Sequence, residues 1–221
     1  MKLLHIVASP RLTESHTLRL AQTFLDTALE ADPELEIETV DLFQEDLPAV
    51  AGTNIDAKYG LLMGQPIDPH HAESWSEIER EINRFLAADL YVITAPMWNF
   101  SVPYALKYYI DCLVQPGYLF RFNELGYPVP LVEGKKMVVI SSSGSDFSAS
   151  SPAKDANFHE PYLRTVFGFV GITDITFIHA HAQDVPGEFR VLEFARATAE
   201  AKRVASTLAW APAAQEQALT A

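Results

Sequence analysis

The sequence predicts an α/β fold built on a mostly parallel sheet of five strands, and three observations carry that prediction. Five short apolar runs recur along the chain, at Leu3–Ala8, Ile37–Leu42, Leu90–Ala95, Met137–Ile140 and Ile175–Ala180. Segments whose apolar residues fall three and four apart, the spacing of one helical face, lie between them. The first, third and fourth runs are nearly continuous in Leu, Ile, Val and Met, as in parallel strands covered on both faces.

The elements follow in chain order. The first run is interrupted by His5 and falls short of a secretory apolar region of about 7–15 residues, so it reads as a buried strand. Leu18, Ala21, Leu25 and Ala28 then mark a helix. The second run carries Glu36, Glu38 and Asp41 among its apolar residues, the pattern of a half-exposed edge strand. Trp75, Ile78, Ile82 and Phe85 mark the helix before the third run. Pro103 opens another through Tyr104–Val114, with Leu106, Ile110 and Leu113 on one face. Pro161–Gly171 reads as a helix that stops at its glycine. Phe194, Ala197, Ala201, Val204 and Leu208 form the last stripe. Right-handed crossovers join the strands. Two connections are longer than a crossover needs, residues 44–73 and 116–134, and connections of that length in compact domains are functional or disordered. With no internal repeat and no dividing linker, residues 1–208 read as a single domain and 209–221 as a loose tail.

Composition narrows the functions available. The chain has 221 residues, with 16 Lys+Arg against 29 Asp+Glu and a net charge of −13, which excludes a role built on nucleic-acid binding. No segment reaches the roughly 18 apolar residues of a membrane span. The single cysteine, Cys112, cannot form an internal disulfide or a thiolate metal site, and the chain reads as cytoplasmic. Cys112 lies on an apolar helix face and reads as inert core. His179 and His181 share a strand face, the spacing of a metal pair, but no third ligand is identifiable nearby, so no metal is expected. His70 and His71 read as solvated loop.

Only 10 residues are glycine, with no G-x-G-x-x-G after the first strand and no G-x-x-x-x-G-K-[ST] anywhere, which argues against a Rossmann dinucleotide site and a P-loop. The first strand is followed instead by Ser9-Pro10-Arg11-Leu12-Thr13-Glu14-Ser15-His16-Thr17, a hydroxyl-rich loop that feeds a helix. Two readings stand for it. One is an anion site, with Ser9, Thr13, Ser15, Thr17 and the helix N–H groups holding a phosphate and Arg11 assisting. The other is a plain N-cap made by Ser15. After the third strand, Pro96-Met97-Trp98-Asn99-Phe100-Ser101 gathers large side chains outside any helical or strand period. In open α/β sheets, ligands bind beyond the carboxyl ends of the strands, where strand order reverses; in the order 2-1-3-4-5 that is between the first and third strands. A flat aromatic cofactor with a phosphate tail fits the two loops, whereas a structural reading makes Trp98 and Phe100 core plugs. A third loop, Ser142-Ser143-Gly144-Ser145, lies at the same end.

These segments together resemble the FMN-dependent NADH:quinone oxidoreductases, also called FMN-dependent NADH-azoreductases, of the flavodoxin-like superfamily. Ala95-Pro96-Met97-Trp98-Asn99-Phe100 resembles the family's A-P-M-[YW]-N-F signature. Pro161-Tyr162-Leu163, Phe167-Gly168-Phe169 and Gly171-Ile172-Thr173-Asp174 resemble its P-Y-L, G-F and G-I-T-D segment. Gly117-Tyr118-Leu119-Phe120-Arg121-Phe122 is similar to its G-x-T-F-R-Y stretch, with Leu119 and Phe122 as departures. The resemblance spans roughly residues 1–205.

The resemblance implies a flavodoxin-like three-layer sandwich with strand order 2-1-3-4-5, bound FMN, and NADH or NADPH as donor. It implies that Ser9, Ser15 and Thr17 hold the FMN phosphate, with His16 where the family commonly has Gln. It puts Pro96, Met97, Trp98, Asn99 and Phe100 around the flavin ring, and Ser142, Ser143, Gly144 and Ser145 at its pyrimidine edge. The family's S-R-G-G appears here as Ser142-Ser143-Gly144-Ser145, without its Arg and second Gly. A homodimer with active sites at the interface would bring Phe120 and Phe169 to the partner's flavin. Trp98, Phe100, Phe120 and Phe169 would bind a quinone or azo acceptor in a ping-pong hydride transfer, since the cofactor carries that chemistry and no catalytic side chain is required. A flavodoxin-type electron carrier and an NAD(P)H-dependent flavin reductase are the alternatives.

Overall fold

The computed structural model describes residues 1–11 and 14–208. Thr13 of the hydroxyl-rich loop and the expected tail over 209–221 lie outside the described residues.

Strands β1 (Lys2–Val7), β2 (Glu36–Asp41), β3 (Leu90–Thr94), β6 (Lys136–Ser142) and β7 (Asp174–Ala180) form one sheet of order β2-β1-β3-β6-β7. All neighbouring pairs are parallel, with Leu3 beside both Ile37 and Leu90 and Ile6 beside Val40 and Ile93. This is the predicted order. Each apolar run became a strand within about two residues of its expected ends.

Burial on both faces explains the continuous apolar runs. On one face, Leu3, Leu90, Val92, Val138, Ile140 and Ile178 pack beneath α1 (His16–Ala31) and α6 (Glu188–Thr207). These two helices meet through small residues: Ala21 and Ala28 of one, Ala197, Ala201 and Ala205 of the other. On the opposite face, Leu4, Ile6, Tyr91, Ile93, Met137 and Val139 pack under α3 (Ala72–Leu86), α4 (Tyr104–Leu113) and α5 (His159–Val170). Cys112 is fully buried there, and burial pushes its thiol up to about 12, so it is an inert core residue as expected. β2 is the half-exposed edge, where Glu38 pairs with both Lys2 and Arg84 at 2.5 Å.

Both long connections contain structure that the apolar periodicity did not reveal. Residues 44–73 hold α2 (Thr53–Leu62), which buries only Asn54 and Ala57 and so has no apolar stripe to read. Its tether is polar: Asn54 Nδ2 donates to the Ala49 carbonyl, and Ser74 Oγ donates to Asn54 Oδ1. His71 sits next to α3 as its N-cap residue, and His70 is exposed. Residues 116–134 hold a short antiparallel hairpin, β4 (Phe120–Phe122) with β5 (Pro128–Pro130). Asn123 Oδ1 closes its turn by accepting from the Leu125 and Tyr127 amides. Tyr118, at the root of the hairpin, accepts from Trp75 Nε1 at 3.1 Å, which ties the insertion to α3.

The predicted stop at Gly171 is a left-handed C-cap, with φ +110°. A Cβ there would also overlap the Val132 carbonyl oxygen, so the site needs glycine for space as well as for conformation. Gly171→Ala should therefore cost about 3 kcal/mol, or roughly 6–12 °C in Tm for a chain of this size. A thermal melt within about 1 °C of wild type would contradict this.

Two buried histidines set the acid stability. His5 is buried in β1 against Thr94 Oγ1 at 2.8 Å, and burial lowers its pKa to about 4. His159, fully buried at the start of α5, is lowered to about 3 by burial and then by His179. The unfolded chain takes up these protons below the ordinary histidine pKa near 6.5, and the folded chain does not. Stability should therefore be complete above pH 6.5 and fall on acidification, by up to about 1.4 kcal/mol per pH unit for each histidine. His5→Asn should flatten that slope between pH 6.5 and 4 in denaturant titrations; an unchanged slope would count against it.

Candidate active site

The carboxyl ends of β1, β3 and β6 converge, and the backbone laces their loops together. Ala8 N–H donates to the Thr94 carbonyl at 2.8 Å, and Met97 N–H donates to the Ser142 carbonyl at 2.8 Å. A chain of buried hydroxyls runs across the same edge. Ser9 Oγ and Ser15 Oγ are 2.8 Å apart, Ser15 Oγ donates to Thr17 Oγ1 at 3.4 Å, and Thr17 Oγ1 lies 3.0 Å from Ser142 Oγ. Ser9, Ser15 and Thr17 are at most 3% exposed. A hydroxyl can donate and accept at once, so the chain keeps each oxygen satisfied while leaving lone pairs and protons free to reorient.

The N-cap reading of the first loop holds at Ser15. It is the N-cap of α1, accepting from the Leu18 amide at 3.2 Å, and it is also a link in the hydroxyl chain. The first turn of α1 begins at the cleft, with His16 and Thr17 in its wall. The cleft is walled by Ser9, Arg11, Ser15, His16 and Thr17 on the α1 side. Pro96, Met97 and Trp98 wall it on the β3 side, with Ser142, Ser143 and Gly144 beyond β6. His16 Nδ1 is buried without a partner. Its pKa is lowered, first by burial and then by Arg19, Arg11 and Arg190, against a smaller raising effect of Asp184.

Trp98, Asn99, Phe100 and Ser101 form a two-residue hairpin, closed by reciprocal Trp98 and Ser101 backbone bonds of 2.9 Å. Asn99 has φ +46° and Phe100 φ +72°, the signs of a type I′ turn. Asn tolerates this region, whereas Phe there costs roughly 1–2 kcal/mol. The strain is held in place: Phe158 N–H donates to the Phe100 carbonyl at 2.9 Å, and Phe147 packs edge-on to the Phe100 ring at 6.1 Å. Trp98 is seated against Phe43 and Tyr104.

The remaining expected site residues take different positions relative to this cleft. Asn99 and Phe100 do not wall the cleft; they form its exposed lip, because the positive-φ turn swings them outward. Of the two residues that a structural reading made core plugs, Phe100 is exposed and Trp98 is half-buried in the cleft wall. Ser143 spends its hydroxyl on the Ser145 carbonyl and on His181 Nδ1, and Ser145 lies outside the cleft wall with its carbonyl accepting from Ala182 N–H. Phe120 and Phe169 pack on each other at 4.8 Å between the hairpin and the far end of α5, and neither walls this chain's cleft. His179 and His181 stack at 5.3 Å, with His179 Nε2 on Glu160 at 2.9 Å and His181 on Ser143, so each has a partner within the fold.

Three wall residues were missed. Pro10 lies in the singled-out loop, while Gln183 and Asp184 follow β7. Their backbones extend the sheet, Gln183 N–H donating to the Ser143 carbonyl and Asp184 N–H to the Gly144 carbonyl. The only available signal was their position just beyond the carboxyl end of the fifth strand. Gly144 lies so close to Asp184 that a Cβ there would overlap its carboxylate.

Comparisons with known proteins agree with this geometry. Residues 1–204 match the family described as flavodoxin-like fold. The chain is 38% identical over 208 residues to the FMN-dependent NADH:quinone oxidoreductase of Desulfotalea psychrophila, covering 94% of this chain and 97% of that one. It is 40% identical over 199 residues to the protein of that name from Nostoc punctiforme, covering 90% and 95%. In structure it resembles an FMN-dependent NADH-azoreductase from Bacillus anthracis solved in complex with FMN, with a TM-score of 0.83, 27% identity, and 94% and 99% of the two chains covered. With this sheet order, this cleft and relatives matched over almost their whole length, the chain belongs to the flavodoxin-like family that includes the FMN-dependent NADH:quinone oxidoreductases.

Proposed function

We propose that the protein is an FMN-dependent oxidoreductase that uses NADH or NADPH to reduce quinones and aromatic azo compounds. The observation that carries this is the buried hydroxyl chain at the first turn of α1, sharing one cleft with the Trp98 hairpin. The donor set suits FMN. Ser9, Ser15 and Thr17 with the His16 and Thr17 amides would hold a phosphate dianion without any lysine, and the partnerless His16 Nδ1 faces the same cleft. Pro96, Met97 and Trp98 would flank the flavin ring, with Ser142 and Gly144 at its edge. FMN, when bound, supplies the hydride chemistry that no side chain here offers.

The chain's own residues then position and exclude. The strained hairpin keeps Trp98 at the mouth as a flat wall against which nicotinamide or quinone can stack. Ser142, fixed by Thr17 and by the Met97 amide on its carbonyl, couples the phosphate end of the cleft to the ring end. A single mouth serves donor and acceptor in turn, which is a ping-pong order.

The assembly we infer is a homodimer in the cytoplasm. Phe122, Leu125 and Tyr127 of the hairpin and Phe169 of α5 are exposed, an apolar surface that a second copy could cover. That surface would carry Phe120 and Phe169 toward the partner's cleft. No described helix is long and apolar enough to cross a membrane.

The decisive experiment is direct. Purified protein should take up FMN and turn yellow, bleach anaerobically with NADH or NADPH, and recolour on adding a quinone; a protein that takes up no FMN would refute the reading. Thr17→Val should weaken FMN binding by roughly tenfold, the effect of one charge-assisted hydrogen bond, in fluorescence titrations. Trp98→Ala should keep FMN bound and raise KM for quinone several-fold, and unchanged quinone kinetics would count against its placement. Double-reciprocal plots at several acceptor concentrations should be parallel, and intersecting lines would reject the ping-pong order.

A further inference from the structure

One side chain in the cleft wall carries a charge for which phosphate binding has no use. Among the described residues, Asp184 is the only carboxylate in that wall, and Arg11 is the only guanidinium. They stand on different sides of it, Arg11 ahead of α1 and Asp184 beyond β7. Both act on His16, in opposite senses. The wall is therefore divided: hydroxyls and a cation on the α1 side, one anion on the β7 side.

The fold fixes where that anion sits. Asp184 N–H donates to the Gly144 carbonyl at 3.1 Å, and Val185 N–H donates to the Ala182 carbonyl at 3.1 Å, closing a turn around Gln183 and Asp184. Ala182 enters this turn buried and at φ +57°, a conformation that a residue with a Cβ rarely adopts. Gly144 supplies the space. A Cβ there would overlap the Asp184 carboxylate, so the missing side chain lets the carboxylate lie against the loop after β6. Glu38, Glu160 and Glu193 are each held by an arginine, whereas Asp184 is in no ion pair among the described residues. Its charge stays available to the cleft.

We propose that Asp184 tunes the flavin bound in this cleft, holding its reduction potential below the value the rest of the wall would set. The proposal rests on the FMN reading, with Ser142 and Gly144 at the edge of the ring. Taking a hydride from NADH or NADPH leaves the ring system one negative charge richer and the nicotinamide one positive charge richer. A carboxylate lying against Gly144 repels the charge added to the ring and has no such effect on the neutral oxidised ring. The reduced form is therefore bound less tightly, relative to the oxidised form, than it would be without Asp184. The FMN phosphate carries the same charge in both states, so its own repulsion from Asp184 cancels in that ratio. A lower potential makes the bound flavin a stronger donor of the two electrons that a quinone or azo acceptor takes up with protons.

The test is the midpoint potential of FMN bound to the full-length protein, measured anaerobically against a reference dye. Asp184→Asn keeps the shape of the side chain and removes its charge, at an exposed position. The ratio of reduced-FMN to oxidised-FMN affinity should rise at least about threefold over wild type, which for a two-electron couple is a potential higher by about 14 mV or more. Glu34→Gln removes one charge from an exposed position between α1 and β2, at the opposite end of the sheet, and should shift the ratio by less than Asp184→Asn does. A rise below threefold for Asp184→Asn, or an equal shift for Glu34→Gln, would overturn the proposal and leave the flavin reading standing. Failure of wild type to bind FMN would overturn both.

Discussion

The structure depends on one topological constraint: the chain leaves β1 and β3 toward opposite faces of the sheet. α1 turns back over the face it shares with α6, and α4 turns back over the other, with α3 and α5. Between the two departing segments a crevice opens at the carboxyl ends of the strands, and it cannot be filled by either helix. What lines it is therefore decided by the few residues between each strand end and the helix that follows. In this chain those residues are hydroxyls after β1 and an aromatic hairpin after β3.

Both linings are held stiffly, by different means. The hydroxyl side is stiff because it is buried and hydrogen-bonded across three elements, from Ser9 to Ser142. The aromatic side stores strain in Phe100, which persists because the Trp98–Ser101 pairing, the Phe158 amide and the Phe147 ring all favour it. Strain retained at a cleft mouth, where a glycine would have relieved it, fits a position that serves binding more than stability.

The charge distribution resolves an apparent conflict. An acidic chain must repel phosphorylated ligands at long range, yet screening confines that repulsion to about a Debye length of 8–10 Å. At contact distance, the buried hydroxyls at the start of α1 face the cleft, and three arginines without carboxylate partners among the described residues act on His16 at the same helix start. The net charge therefore sets the character of the surface, and the local array sets what binds.

Much of the molecule was legible in the sequence, because period carries burial. Continuous apolar runs could only be doubly covered parallel strands, and stripes three and four apart could only be helices lying on them. From those came the α/β class, Gly171 as a helix stop and Cys112 as core, while the sheet order came with the family resemblance. The loops after β1, β3 and β6 were legible by composition, since hydroxyls and aromatics there follow no packing period. α2 escaped because it buries Asn54 and Ala57 through polar tethers, and the β4–β5 hairpin because strands of three residues carry no alternation. Only the tertiary structure decided which loop residues face the cleft. Asn99 and Phe100 sit exposed on a positive-φ turn, bonds to Ser145 and His181 fix the Ser143 hydroxyl within the wall, and the run beyond β7 brought Gln183 and Asp184 in. It also brought Arg190, far along the chain, to the histidine that Arg11 and Arg19 flank in sequence. The physical reason is common to all of these: periodicity records which side of an element meets the core, whereas the direction of a loop side chain is set by partners distant in sequence.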